Sequence, residues 1–188
     1  MAATPRLDSL PAIEAAVWRE LASALRDKAH PWRTAVLATA DGMAPDARTV
    51  VLREIDVDER RLRVYTDERA GKVTQLRKHP LGTLVMWSPE LGWQLRCRVR
   101  LGVQASGLAV SSRWAQIRLS PAAQDYLSPV PPGTELPQSG EAPEGQTLAR
   151  EFFAVMEAEL LSLDWLELHR DGHRRARFDG DGARWLQP

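Results

Sequence analysis

The chain has 188 residues, 44% of them hydrophobic, and its 25 basic side chains balance 25 acidic ones. That length fits one domain with a full core, and zero formal net charge gives no bulk attraction to nucleic acid or an anionic membrane. One cysteine, Cys97, excludes an intrachain disulfide and a cysteine-based zinc cluster.

The expected location is cytoplasmic. Met1–Leu10 carries Arg6 and Asp8 and lacks the apolar run of a signal peptide. No window approaches the roughly 18 apolar residues of a membrane helix. Ser9 and Pro11 mark a helix start. Leu10, Ile13, Val17, Leu21 and Leu25 then recur at helical spacing, and Pro31 ends the helix. From Trp32 the period changes. Arg33–Ala40 reads as a buried strand, Asp41-Gly42 as a turn, and Ala47–Ile55 as a β-branched strand. Arg61–Thr66 alternates as a third strand. Gly71–His79 reads as a short helix stopped by Pro80, and Thr83–Trp87 as a fourth strand.

Gln94–Val103 is the clearest strand. Leu95, Cys97, Val99, Leu101 and Val103 share one face, and Gln94, Arg96, Arg98 and Arg100 the other. On the apolar face Cys97 reads as a small buried hydrophobe rather than a nucleophile. Val110–Leu127 and Leu148–Leu161 read as helices around a Pro- and Gly-rich loop, 128–145. Leu163–His169, Arg174–Phe178 and Ala183–Leu186 read as closing strands. The expectation is a mainly β chain with flanking helices: a single domain built on an antiparallel split β-barrel. Its parts are an N-terminal helix over 10–30, a barrel core over 31–107, a helical and loop insertion over 108–161, and closing strands over 162–188.

No Gly-rich phosphate loop or nucleophile elbow is present. His30, His79, His169 and His173 show no ligand spacing with carboxylates, so no metal site is expected. What stands out is a set of cations beside strands. Arg48 and Arg53 flank Thr49-Val50-Val51-Leu52, and Lys72 begins the short helix six residues after Thr66. A helix start with a nearby Lys, a Thr hydroxyl and an Arg on the next strand is a ready anion site. Each cation alone also reads as a solvated surface charge.

The succession R-T-V-V-L-R (Arg48–Arg53), V-Y-T-D (Val64–Asp67), Lys72 and W-Q-L-R (Trp93–Arg96) resembles the FMN site of the pyridoxamine 5'-phosphate oxidase family. The resemblance spans Pro31–Gly107 and implies FMN as cofactor. It places Arg48 and Lys72 on the phosphate, the backbone of Val50, Val51, Leu52 and Arg53 along the flavin ring, and Tyr65, Thr66 and Gln94 as further contacts. More loosely, it puts Trp165 near the cofactor of a second subunit; a core tryptophan is the other reading. It makes Arg177 the better candidate for a flavin arginine and Arg175 the second. Arg53 and Arg175 are the candidate catalytic residues.

The sequence departs from the family where two adjacent basic residues give way to Gly71-Lys72, with Arg69 a possible replacement for the missing contact. It departs again where a Tyr, Arg and Ser hold the substrate phosphate: Ser120 remains, with Ser112 and Gln116 in the other places. The expected function is an FMN-binding oxidoreductase, a homodimer with the cofactor at the subunit interface, acting on a small molecule that need not be pyridoxine or pyridoxamine phosphate. The alternative is a non-catalytic flavin- or haem-binding protein on the same fold, with His169 or His173 as axial ligand. Trp87, Trp93 and Trp114 read either as a planar-ligand pocket or as core and interface packing.

Overall fold

The computed structural model describes residues 6–138, 140 and 152–188. Helix α1 (Leu10–Arg26) is followed by a 3-10 turn (Pro31–Arg33), β1 (Thr34–Ala40), β2 (Pro45–Asp56), β3 (Arg61–Asp67) and α2 (Gly71–Lys78). Then come β4 (Leu81–Ser88), β5 (Trp93–Gln104), α3 (Leu108–Ile117), a 3-10 segment (Pro121–Tyr126), β6 (Phe153–Glu167), β7 (Arg174–Asp179) and β8 (Gly182–Leu186).

All pairings are antiparallel, in the order β3-β2-β1-β4-β5-β6-β7-β8, and β3 also pairs with β6. That last pairing closes the first six strands into a barrel, which leaves β7 and β8 as a flap beyond it. Closure removes the free sheet edges that an open meander would present. The interior is filled by alternate residues, among them Leu37, Leu52, Leu62, Leu84, Leu95, Cys97 and Trp165, all fully buried. Ile13, Val17 and Leu21 on α1 pack into the same core. Gly82 is required where β4 crosses β1: a Cβ there would stand 2.9 Å from the Ala38 carbonyl oxygen.

The largest departure from the sequence reading is at 148–161, expected to be helical. Residues 153–161 belong to the long strand β6, and the earlier part of that expectation lies outside the described residues. Ala154, Met156, Glu157, Ala158 and Leu160 all favour helices in isolation, but pairing with β3 on one side and β5 on the other outweighs that preference. The start of β6 is buried on both faces, so no alternation is visible. Met156 and Ala158 face the barrel core, while Phe153 and Val155 face a second cluster with Val110, Tyr126, Tyr65, Trp114 and Ile117. The helix expected over 110–127 is also shorter, divided between α3 and the 3-10 segment before Pro129.

Two ladder irregularities shape the barrel. One lies in β6, where Arg98 pairs Ser162 but Val99 pairs Leu160. The other lies in β2, between Leu52 and Glu54. Such an extra residue bends its strand and sharpens its twist.

Candidate functional site

The β2 irregularity opens the site. Strand β2 pairs with β3 only over Leu52–Asp56, whereas Tyr65–Asp67 of β3 pair only with β6. The first half of β2, Pro45–Val51, therefore keeps β1 as its neighbour but has no strand on its other side. The result is a slot with the β2 backbone as one wall and the end of β3 as the other. The chain leaving β3 returns as α2 at the slot's far end. Backbone donors and acceptors along such an open edge can receive a flat polar ligand.

Arg48 and Lys72 meet at that far end. Arg48 donates to the Leu37 carbonyl (3.3 Å), the Thr39 hydroxyl (2.6 Å) and Gln75 Oε1 (3.0 Å), and pairs with Asp46. Thr39 in turn donates to Gln75 (2.6 Å), so the guanidinium is held by β1 and α2 together. Lys72 differs: among the described residues its ammonium has no hydrogen bond or ion pair. Burial, and then repulsion from Arg48, lowers its pKa from the ordinary lysine value. Asp67 is the nearby carboxylate, but it is committed to Arg69 through contacts at 3.0 and 2.6 Å. No side chain caps the start of α2. A half-buried cation, a second cation beside it and an uncapped helix start make a site that a phosphate group fits.

Val51 and Arg53 are half-buried, while Val50 and Leu52 turn into the core and can reach a slot ligand only through their backbones. The Arg53 guanidinium stacks over the Tyr65 ring, 5.8 Å from its centroid, and lies near enough to the Tyr126 hydroxyl to offset part of the upward push that burial gives its pKa. Tyr65 donates its hydroxyl to Glu54 (2.8 Å); burial and this carboxylate push its pKa well up. Thr66 is buried, with its hydroxyl on the Asp67 carbonyl (3.3 Å).

The other expected residues lie elsewhere. Gln94 is on the outward face of β5, level with Trp87 and Leu166. Arg175 holds Asp164 at 3.0 and 2.7 Å, Arg96 reaches the same carboxylate at 3.1 Å, and Arg177 pairs with Asp179 at 3.0 Å. With Arg98 they line an outward concavity of about 430 Å³ on β4–β7.

Two expectations are corrected. Trp165 has 0% exposure and packs edge-on against Trp93 at 5.4 Å inside the barrel, so its ring has no surface to offer a cofactor. Its neighbour Asp164, not Trp165, faces outward, because alternate residues of a strand take opposite sides. Arg69 does not replace the missing phosphate contact: besides Asp67 it donates to the Ser128 and Pro129 carbonyls and stacks on Phe152. Trp93 and Trp114 are packing residues, against Trp32 and Phe153 respectively, while Trp87 is exposed. His169 and His173 each accept a backbone N–H of their own turn through Nδ1.

Sequence reasoning missed the partners. Glu54 receives Arg113 in a bidentate pair (2.6 and 2.7 Å) together with Tyr65, and Gln75 braces Arg48. These contacts join residues 11 to 59 positions apart, and no local spacing signals them. Among the described residues no group of three or more His, Cys, Asp or Glu could hold a metal, and no helix is long and apolar enough to cross a membrane.

Comparison with known proteins accounts for this geometry. Residues 15–104 match the family model of the pyridoxamine 5'-phosphate oxidase FMN-binding domain. No curated protein matches the sequence. Among solved structures, the fold is similar to a pyridoxamine 5'-phosphate oxidase-related, FMN-binding protein from Nostoc punctiforme: TM-score 0.70, 24% identity, 96% of this chain and 100% of that one. It is also similar to PhzG from Burkholderia lata, solved in complex with tetrahydrophenazine-1-carboxylic acid: TM-score 0.71, 18% identity, 96% and 94%. A more distant likeness is to General Stress Protein 26 from Bacillus anthracis: TM-score 0.53, 12% identity, 79% and 92%. The chain is a split barrel of this kind, its segment 15–104 matches the pyridoxamine 5'-phosphate oxidase FMN-binding domain, and FMN is the cofactor of that domain.

Proposed function

We propose that this protein is an FMN-dependent oxidoreductase acting on a small molecule, and that it works as a homodimer. The observation that carries this reading is the slot along β2, which ends at a half-buried lysine that makes no ion pair among the described residues. Arg48, Lys72 and the start of α2 would hold the cofactor phosphate. The backbone of Val50–Arg53 would line one side of the flavin ring, with Tyr65 and Thr66 across the slot. Bound there, FMN would supply the redox chemistry.

The chain's own residues supply position and field. Arg53, beside Tyr65 and Tyr126, brings positive charge to the near end of the slot, where it would favour charge developing on a reduced ring or anchor an anionic group. Arg33 lies close enough for burial and then Arg53 to lower its own pKa. The outward face of β4–β7 supports the dimer. With the adjoining Val36 of β1, it exposes Trp87 and Leu161 beside Gln94, Arg175 and Arg177. A second subunit seated on it would bring its own copies of these residues to the slot. A cytoplasmic location belongs to the same reading, with Cys97 a buried free thiol.

The test begins with the absorbance spectrum of the protein as isolated, followed by titration of the apo-protein with FMN. Lys72→Ala and Arg48→Ala each remove a charge-assisted contact and should weaken FMN by about tenfold to a hundredfold. If both variants bind FMN as the wild type does, the slot is not the FMN site. Anaerobic bleaching of the flavin by candidate amines then separates an enzyme from a flavin carrier.

A further inference from the structure

A concavity of about 530 Å³ lies beside the slot, lined by Glu54, Leu108, Ala109, Ser112, Arg113 and Gln116. It shares a wall with the slot, because Glu54 accepts the hydroxyl of Tyr65, whose ring carries Arg53. Ser112 and Gln116 have no side-chain hydrogen bond within the protein among the described residues. The Ser120 hydroxyl is already given to the Ile117 carbonyl at 2.7 Å. The one cation in the wall is Arg113, and three of its five N–H donors are engaged. Nε and Nη2 reach Glu54 Oε1 and Oε2 at 2.6 and 2.7 Å, and Nη1 reaches the Ala109 carbonyl at 3.2 Å.

Resting on the flavin reading above, we propose that Glu54 is a specificity-determining residue: by cancelling Arg113 it makes this concavity reject a phosphate monoester and accept an uncharged, hydrogen-bonding part of the substrate. A doubly charged phosphate would have to displace a bidentate carboxylate and then sit against it, so like charges meet at contact distance. A hydroxyl or amide meets no such cost. Ser112 offers a donor and an acceptor, Gln116 offers both kinds, and Leu108 and Ala109 pack an apolar frame around them. The cations beside Glu54 favour its ionised form: Arg113 from α3, and Arg63 from β3 at 3.6 Å, which is shared with Glu157, with the Tyr65 hydroxyl between. Burial pushes the other way, but these contacts outweigh it and hold the carboxyl below its usual range.

The experiment uses FMN-loaded protein and follows the flavin spectrum during titration with pyridoxine 5'-phosphate and, separately, pyridoxine. Wild type should bind the phosphate ester no better than the free alcohol. Glu54→Gln keeps an acceptor for Tyr65 and Arg113 but removes the charge, and should gain about tenfold or more for the phosphate ester alone. Glu54→Gln with Arg113→Gln should lose that gain. A wild type that prefers the phosphate ester tenfold, or a Glu54→Gln variant that gains nothing, overturns the proposal. Calorimetry with inorganic phosphate on protein without flavin keeps this outcome separate from failure of the flavin reading. There the difference between Glu54→Gln and the double variant reports Arg113 alone.

Discussion

The two ends of β2 carry similar side chains under opposite electrostatics. Near Arg48, two cations meet, and the carboxylate nearest Lys72, Asp67, is committed to Arg69. Near Glu54, one guanidinium is closed by a carboxylate that also gathers Tyr65 and Arg63. Both places hold basic residues next to an open concavity, and a census of arginines and lysines cannot distinguish them. What separates a site that attracts an anion from one that refuses it is whether a carboxylate from another element has arrived first.

Turning one end into the other gives the largest expected effect. Lys72→Glu supplies a carboxylate, removes a favourable contact and adds a repulsive one. FMN affinity should fall by more than about a hundredfold, read by quenching of flavin fluorescence. A milder version needs no mutation. Since burial and Arg48 lower the Lys72 pKa in the free protein, and a bound phosphate would raise it, FMN binds best while Lys72 is charged and weakens as pH rises through that lowered value. The drop should begin at a lower pH than an ordinary lysine allows, level off near the Lys72→Ala affinity, and be missing from a Lys72→Ala titration. At the other end the sign reverses. Glu54 has a depressed folded pKa, so its contribution is complete above an unfolded carboxylate value of about 4.3 and is lost as pH falls further. Acid should loosen α3 from β2 before the barrel unfolds, seen as early loss of Trp114 fluorescence anisotropy, and Glu54→Gln should flatten that step. The smallest effect belongs to Trp165→Phe, which should lower the urea midpoint while leaving FMN affinity within about twofold, because the ring packs only inside the core.

Much of the barrel was legible from local pattern. The alternation of Gln94–Val103 corresponds to β5, and Arg48, Tyr65, Thr66 and Lys72 line or flank one slot because strands and a helix start place them there. Where pattern failed, long-range contact had taken over. The start of β6 has two buried faces, so its period is hidden and its Ala, Met, Glu and Leu content points to a helix. Trp165 sits one residue from an outward-facing position, and the β6 irregularity at Leu161 resets which parity faces the core. Arg69, attractive as a phosphate ligand by its place in the sequence, is bound by a carboxylate two residues away and by carbonyls some sixty residues away. The Glu54–Arg113 pair joins β2 to a helix 59 residues later, and neither residue marks itself as half of a pair.

The unpaired length of β2 bears on how the protein must be handled. Between Pro45 and Val51 one side of a strand presents its amide and carbonyl groups with no ladder to satisfy them. An extended segment of another polypeptide is as good a complement to such an edge as a flat heterocycle is. Protein stripped of its flavin should therefore self-associate and lose solubility more readily than the loaded form, and adding FMN during refolding should suppress the aggregates measured by light scattering.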